Sequence, residues 1–411
     1  LAVNLLLSGP AGGLAAAQRL GEQLQQPQLM TFDMGGTSTD VALLDGDIRL
    51  TQQGHIGPYP VAVPMVDMHT IGAGGGSLAY VDDAGLLHVG PQSAGADPGP
   101  ACYGKGGRQV TVTDANVVLG RLQPDFALGG SLALDVPAAE QAMDRLAQAL
   151  GLTRQQAADG VLALANEHMT QALRVISIQK GFDPADFALM SFGGAGGLHV
   201  CALADNLGMT QAIVPQRAGV LSAEGLVYAP RKREMLQALP EQIDEPLLHE
   251  RIAQLQQQGQ AELIAEGVSA DRIRHRVFVD MCYRGQSSVL QIDWEPTLAD
   301  RETGFHTAHQ QRFGHQLGLP VEQVNLRVQS QAQNSPPAQP DRHTRSASAE
   351  RLITLPGIDT PVAVYNRESL GAGQRIAGPA LIYEAVGTTW LAANWHATVD
   401  SQGHLLLQRK A

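Results

Sequence analysis

The eight residues Asp33-Met-Gly-Gly-Thr-Ser-Thr-Asp40 constrain this chain more than any others. Leu29-Met-Thr-Phe32 reads as a short buried strand before them, and Val41-Ala-Leu-Leu44 as a second strand after them. A carboxylate therefore leaves a strand end, two glycines permit close backbone approach, and three hydroxyls follow before the chain returns. Such a strand–turn–strand clamp can cradle a phosphate with N–H and O–H donors, while Asp33 holds a magnesium ion or its water. The alternative is an ordinary hairpin with polar turn residues. A hairpin needs neither a strand-end aspartate nor a Thr-Ser-Thr run.

More glycine loops surround this one. Glycine makes up 45 of the 411 residues, above the usual roughly 7%, and the glycines gather mostly before residue 226. Two loops imitate nucleotide motifs and fail on context. Gly99-Pro-Ala-Cys-Tyr-Gly104-Lys105-Gly106 has glycine where a phosphate loop needs Ser or Thr, and a strand at Val110-Thr-Val112 is expected after it. Gly194-Ala-Gly196-Gly-Leu-His199 follows a strand, Phe187-Ala-Leu-Met-Ser-Phe192, and opens a helix, but His199 stands where a dinucleotide fold needs its third glycine.

The rest of the first 225 residues alternates strands with helices, which predicts a mixed α/β architecture. Ser8-Gly-Pro-Ala-Gly-Gly13 leads into a helix over 14–20 with a serine cap and an early proline. Asp45-Gly46-Asp47 and Asp82-Asp-Ala-Gly85 mark hairpins. Residues 138–150 and 155–180 carry helical spacing, with Val161, Leu164, His168, Ala172 and Val175 on one face; His168 there reads as a core histidine. Cys201, one turn into a helix, reads as core too. After Tyr228 the texture changes. Residues 229–275 are expected to be a helical connector, 276–411 a smaller β-rich C-terminal domain, and 329–349 a linker.

Charge and cysteine content exclude several roles. Acidic residues outnumber basic ones 40 to 28, for a formal net charge of −12, and no Lys/Arg cluster offers a nucleic-acid footprint. No apolar run approaches the roughly 18 residues of a membrane span. Cys102, Cys201 and Cys282 lie far apart without a CxxC pair, so neither a disulfide framework nor a zinc ribbon is signalled. The expected compartment is a reducing cytoplasm. Asp67, His69, Asp97 and Cys102 are a conceivable metal set, since carboxylate, imidazole and thiolate suit zinc or manganese, although their spacing matches no recognised pattern. Asp114 and Asn116 follow a strand, where the carboxylate orients water or magnesium or merely caps a turn.

Six motifs in order carry a resemblance. Ser8-Gly-Pro-Ala-Gly-Gly13, Thr31-Phe-Asp-Met-Gly-Gly-Thr-Ser-Thr-Asp40, Ile71-Gly-Ala-Gly-Gly-Gly-Ser77, Ser93-Ala-Gly-Ala-Asp-Pro-Gly-Pro-Ala-Cys-Tyr103, Thr113-Asp-Ala-Asn116 and Phe192-Gly-Gly-Ala-Gly-Gly197 follow one another as in the hydantoinase A/5-oxoprolinase family. The resemblance is traceable to Gly378-Pro-Ala-Leu-Ile382. It implies an actin-like ATPase (ribonuclease H-like) fold that uses ATP and Mg2+ to activate a cyclic amide such as 5-oxoproline or a hydantoin. By resemblance Asp33 serves magnesium and Gly35, Gly36, Thr37, Ser38 and Thr39 hold phosphates. Gly193, Gly194, Ala195, Gly196 and Gly197 resemble an adenosine-side loop; Gly74, Gly75, Gly76 and Ser77 form a third loop that either faces the substrate or is a plain hairpin lead-in, and Asp114 is a candidate catalytic carboxylate. The family also implies a hydantoinase B-type partner, an oligomer, and an N-terminal segment with a first phosphate loop that nothing here matches, so the chain is expected to be a fragment. Ketone carboxylation by a relative, or a regulatory actin-like ATPase without turnover, are the alternative readings.

Overall fold

The computed structural model describes residues 8–410 apart from 49, 52–53, 57–58, 62–64, 127–132, 229–230, 241–242, 287, 333–342 and 345. Most of the expected 329–349 linker lies outside the described residues. The chain forms two compact units, Leu1–Val227 with Ala338–Ala411, and Tyr228–Pro337.

The first unit opens with α1 (Ser8–Gln23), β1 (Gln28–Met34) and β2 (Thr39–Asp45). Short strands follow: β3 (Asp47–Ile48), β4 (Leu50–Thr51), β5 (Gly54–Ile56), β6 (Tyr59–Val61), β7 (Met65–Val66) and β8 (Met68–Ile71). Next come β9 (Ser77–Val81), β10 (Leu87–Ser93), β11 (Val110–Thr111), α2 (Val112–Val118), α3 (Val136–Leu150) and α4 (Arg154–Ile176). The half closes with β12 (Ala188–Phe192), α5 (Val200–Asn206), β13 (Gln211–Val214) and α6 (Leu221–Tyr228).

Local chemistry explains the helix starts. Thr111 with Asp114, and Thr153 with Gln156, form capping boxes for α2 and α4, each satisfying backbone donors that helix geometry strands. α3 runs from the Asp135 cap to Gly151 in the left-handed conformation. α1 begins at Ser8 itself, so the Ser8–Gly13 motif is helix, not lead-in. Its glycines allow close crossing: a Cβ on Gly13 would lie 2.7 Å from the Phe192 ring, and one on Gly225 of α6 would collide with the Gly12 carbonyl.

Two sequence expectations shift here. The strand expected over 110–112 ends at Thr111, because the capping box starts α2 at once. On α4 Val161 and Ala172 are buried as expected, but Ala165, Met169 and Ile176 take the interior places expected for Leu164, His168 and Val175. His168 is exposed, not core; the flexible, apolar Met169 takes the interior place, and full burial of such a side chain is worth roughly 1.5–3 kcal/mol.

The second unit contains β14 (Lys232–Ala238), α7 (Glu245–Ala265), β15 (Ile273–Tyr283), β16 (Leu290–Asp293), α8 (Leu298–Phe313) and β17 (Val321–Ala332). Its sheet runs β14-β17-β15-β16. α7 is no free connector: Leu248, Ile252, Leu255 and Leu263 share one buried face, and the first three cluster with Met235, Leu326 and Val328 of the sheet. The expected linker start at Gln329 is instead the end of β17.

The tail returns to the first unit through β18 (Arg351–Ile353), β19 (Val362–Asn366), β20 (Arg375–Ala377), β21 (Ala380–Glu384), β22 (Gly387–Leu391), β23 (Trp395–Val399) and β24 (Leu405–Arg409). The main sheet is ordered β20-β23-β24-β13-β12-β1-β2-β3, with β8 also on β2. Residues 276–411 are therefore not one C-terminal domain. The alternating buried residues of β23 and β24 complete the core beside β13. Asp205 of α5 pins this return by accepting from Trp395 Nε1 at 3.2 Å and pairing with Arg409 at 3.0 Å.

Candidate active site

Asp33 sits at the end of β1, which pairs in parallel with β12 and antiparallel with β2. Those registers set Asp33 beside Phe192 on one side and opposite Asp40 on the other. Directly opposed residues of an antiparallel pair point to one face, so the two carboxylates are neighbours. Burial pushes the Asp33 carboxyl up; a hydrogen bond from Ser222 opposes this, and Asp40 adds to it. Ser222 Oγ donates to Asp33 Oδ2 at 2.9 Å, and Thr70 Oγ1 donates to Asp40 Oδ1 at 2.5 Å. A small cleft beside Asp33 is lined by Leu14, Thr31, Asp40, Val41 and Phe192.

The turn after Asp33 is tight, with Gly35 N–H donating to Ser38 O at 3.1 Å. Gly36 and Thr37 are exposed at its tip and Ser38 is half-buried. A Cβ at Gly36 would meet nothing within 4 Å. Thr39 differs from its neighbours: it is fully buried, and its hydroxyl donates to Ala73 O at 2.5 Å. Its side chain is spent inside the fold and does not face the loop's outer surface.

Gly74, Gly75, Gly76 and Ser77 form a brace rather than a substrate-facing loop. All four are buried. Gly75 N–H donates to Gly35 O at 3.0 Å, Gly76 N–H to Gly36 O at 2.6 Å, and Gly74 N–H to Ser77 Oγ at 2.8 Å. A Cβ on Gly74 would lie 2.7 Å from Thr37 N. These glycines let two backbones touch.

Asp114 stands one step behind the brace. It is fully buried, and its two oxygens accept from Ala101 N, Cys102 N, Thr111 N and Thr111 Oγ1 at 2.7–3.2 Å. Four donors leave it no free face for water or substrate, so the capping reading fits and the catalytic one does not. It fixes the start of α2, where Thr113 N and Oγ1 both hold Gly75 O at 2.8 Å.

The third loop reaches Asp33 from β12. Gly193 has φ 78, and a Cβ there would lie 2.6 Å from Asp33 Oδ1, so glycine is required twice over. Ala195 N–H donates to Met34 O at 3.2 Å. Gly194 is exposed, while Gly196 and Gly197 are buried against Ser191 and Thr388. A 3-10 turn, Gly196–Leu198, precedes α5. His199 follows at 1% exposure, its Nδ1 2.7 Å from Asn166 Oδ1. Burial first, and Arg121 second, push its pKa down to about 3, which keeps it neutral.

The proposed metal set is not assembled. Asp67 pairs with Lys180 at 2.6 Å, His69 lies on β8, Asp97 is exposed, and Cys102 is fully buried with its thiol pushed up by burial and Asp114. Among the described residues, no group of three His, Cys, Asp or Glu side chains can hold a metal ion. The sequence spacing joined residues that separate elements keep apart. Asp40 was visible as the motif's last letter; Ser222, 189 positions from Asp33, carried no sequence signal.

The profile of the hydantoinase/oxoprolinase family matches residues 1–234, a span that holds Asp33 and all three glycine loops. The chain belongs to the hydantoinase/oxoprolinase family. It is 35% identical over 424 aligned positions to the caprolactamase subunit alpha of Pseudomonas jessenii, covering 97% of this chain and 61% of that one. It is 32% identical over 430 positions to 5-oxoprolinase PfmaA of Pestalotiopsis fici, covering 98% of this chain and 33% of the relative. The structure superposes on nucleotide-free acetone carboxylase with a TM-score of 0.84 at 27% identity, over 98% of this chain and 61% of that one. The fold is thus the mixed α/β, actin-like ATPase type that this family resemblance implied. The chain spans about three fifths of the length of the caprolactamase subunit and a third of the oxoprolinase. No helix among the described residues is long and apolar enough to cross a membrane.

Proposed function

We propose that this chain supplies the phosphate-handling part of an ATP-dependent cyclic amidohydrolase. The observation that carries the reading is that the Gly193–Gly197 loop closes on Asp33, the strand-end carboxylate that leads directly into the open-tipped Gly35–Ser38 turn. The residues fit a nucleotide with magnesium: Asp33 is a part-exposed carboxylate, and the Gly36–Thr37 tip that follows it is open, with nothing within 4 Å of a Cβ at Gly36. Magnesium, when bound, would neutralise phosphate charge.

Asp33 would hold the cation, and backbone N–H groups with the Thr37 and Ser38 hydroxyls would orient the phosphates. Fixed donors of this kind contribute most where charge develops, without reorganisation at the moment of reaction. In the reaction, a lactam or imide carbonyl oxygen takes the γ-phosphoryl group as its bond to ADP breaks. Water then attacks the activated carbon, opening the ring and releasing phosphate. A second subunit of the hydantoinase B type is the proposed partner for hydrolysis, consistent with the relative's designation as a subunit.

The likeness to acetone carboxylase favours a second reading, with a ketone as phosphoryl acceptor. One experiment separates the two. ADP release by the complete protein with its partner is followed with 5-oxoproline, ε-caprolactam, a hydantoin, or acetone plus bicarbonate. Stimulation by a cyclic amide supports the first reading; stimulation by acetone and bicarbonate alone overturns it.

A further inference from the structure

The turn from Arg217 to Ser222 is held by strands from the far end of the chain. Arg217 has a left-handed backbone, φ 55 and ψ 39, a conformation a non-glycine residue keeps when its surroundings over-determine it. Its N–H donates to Glu384 Oε2 at 3.1 Å. The fully buried Arg367 donates to the other oxygen of Glu384 at 3.4 Å and to Val214 O, just before the turn, at 2.5 Å. Gln216 N–H donates to His404 Nδ1 at 3.0 Å. Gly219 packs so closely under the β21–β22 hairpin that a Cβ there would collide with the Val386 carbonyl.

Two bonds leave this turn toward the site. Ala218 O accepts from Gly193 N–H at 3.0 Å, and Ser222 Oγ donates to Asp33 Oδ2 at 2.9 Å. We propose that Ser222 is a positioning residue for Asp33, and that Glu384 holds the turn that presents it. The returning tail then does more than fill the sheet: it sets the rotamer of the carboxylate at the phosphate loop. The inference rests on the reading of Asp33 as a group that serves ATP.

The test uses the complete enzyme with its partner, ATP, and whichever of 5-oxoproline or ε-caprolactam it turns over. Ser222→Ala should lower kcat about tenfold with the KM for ATP nearly unchanged, as expected when a group is misoriented rather than removed. Glu384→Ala should act in the same direction. Glu384→Gln, which keeps an acceptor oxygen for Arg217 N–H, should restore most of the rate. The double variant Ser222→Ala/Glu384→Ala should fall no further than Ser222→Ala alone, because the two act along one path. In the ligand-free chain, Glu384→Ala should speed amide exchange at Gly193, and Glu384→Gln should not. Wild-type kcat in Ser222→Ala, with Asp33→Ala inactive, overturns this inference alone. Additive losses, or unchanged Gly193 exchange in Glu384→Ala, overturn the Glu384 link. Full activity in Asp33→Ala overturns both this inference and the reading beneath it.

Discussion

Gly35-Gly36-Thr37-Ser38 and Gly74-Gly75-Gly76-Ser77 are nearly identical in composition and opposite in use. The first is a turn whose tip is exposed, with open space where a Gly36 side chain would go. The second is buried, and its amides are donated to Gly35 O, Gly36 O and Ser77 Oγ. Glycine serves access in one loop and close packing in the other. In the proposed reading a glycine-rich loop becomes a ligand cradle only where the fold leaves its surface open. Where another backbone takes the amides, the same letters make a brace.

The comparison breaks most sharply by adding one methyl group to each loop. Gly74→Ala places carbon against Thr37 N and Gly36 C, and such overpacking against backbone should cost about 3 kcal/mol or more in denaturant unfolding. Gly36→Ala should change stability by less than about 0.5 kcal/mol while weakening ATP binding measured by calorimetry. Equal stability losses in the two variants would end the distinction between cradle and brace.

Carboxylates on the two sides should divide in the same way. Asp33→Ala should slow ATP hydrolysis by about a hundredfold, roughly 2.7 kcal/mol in the barrier, with the protein still folded. Asp114→Asn should instead lower the unfolding free energy by about 1–3 kcal/mol, because one oxygen of a buried four-donor acceptor becomes a donor group. A stable, inactive Asp114→Asn protein would return that residue to the chemistry.

The buried side also has a pH signature. His199 is neutral in the folded chain, with its pKa about 3 against an ordinary 6.5. Above pH 6.5 it costs nothing. As pH falls below 6.5 the unfolded chain takes up a proton that the folded one refuses, so stability declines until pH reaches about 3. Between pH 7 and pH 5 the loss should be about 2 kcal/mol. His199→Gln should flatten that part of the stability profile.

The smallest effects separate two threonines two residues apart. Thr39→Val removes a buried donor to Ala73 O and should cost about 1 kcal/mol of stability. Thr37→Val, at the exposed tip, should leave stability unchanged and weaken ATP affinity. The reverse pattern would place the phosphates against the buried side of the loop.

Much of this division was unreadable before folding. Thr37, Ser38 and Thr39 form one hydroxyl run in the sequence, yet the two-residue alternation of β2 turns Thr39 inward while Thr37 stays on the turn. The His168 assignment failed by one residue, since a helical pattern rich in alanine gives a weak register and Met169 fills the interior better. α7 reads as polar and Gln-rich, but Leu248, Ile252 and Leu255 on one face are enough to seat it on a sheet. Asp67, His69, Asp97 and Cys102 looked like ligands by type alone, and type carries no distance.

What the sequence by itself determined is local: the strand–turn–strand around Asp33, the helical spacing of α3 and α4, the hairpins at Gly46 and Gly85, and the order of motifs that marks the family. These depend on side chains within a few positions of one another, where spacing translates directly into geometry. The tertiary structure alone decided that the Gly74 loop is buried, that Ser222 meets Asp33, and that the last strand pairs with β13. Those outcomes depend on which face each element buries and which strand edge remains open. Both are properties of the assembled sheet, settled only when segments nearly two hundred residues apart compete for the same surface.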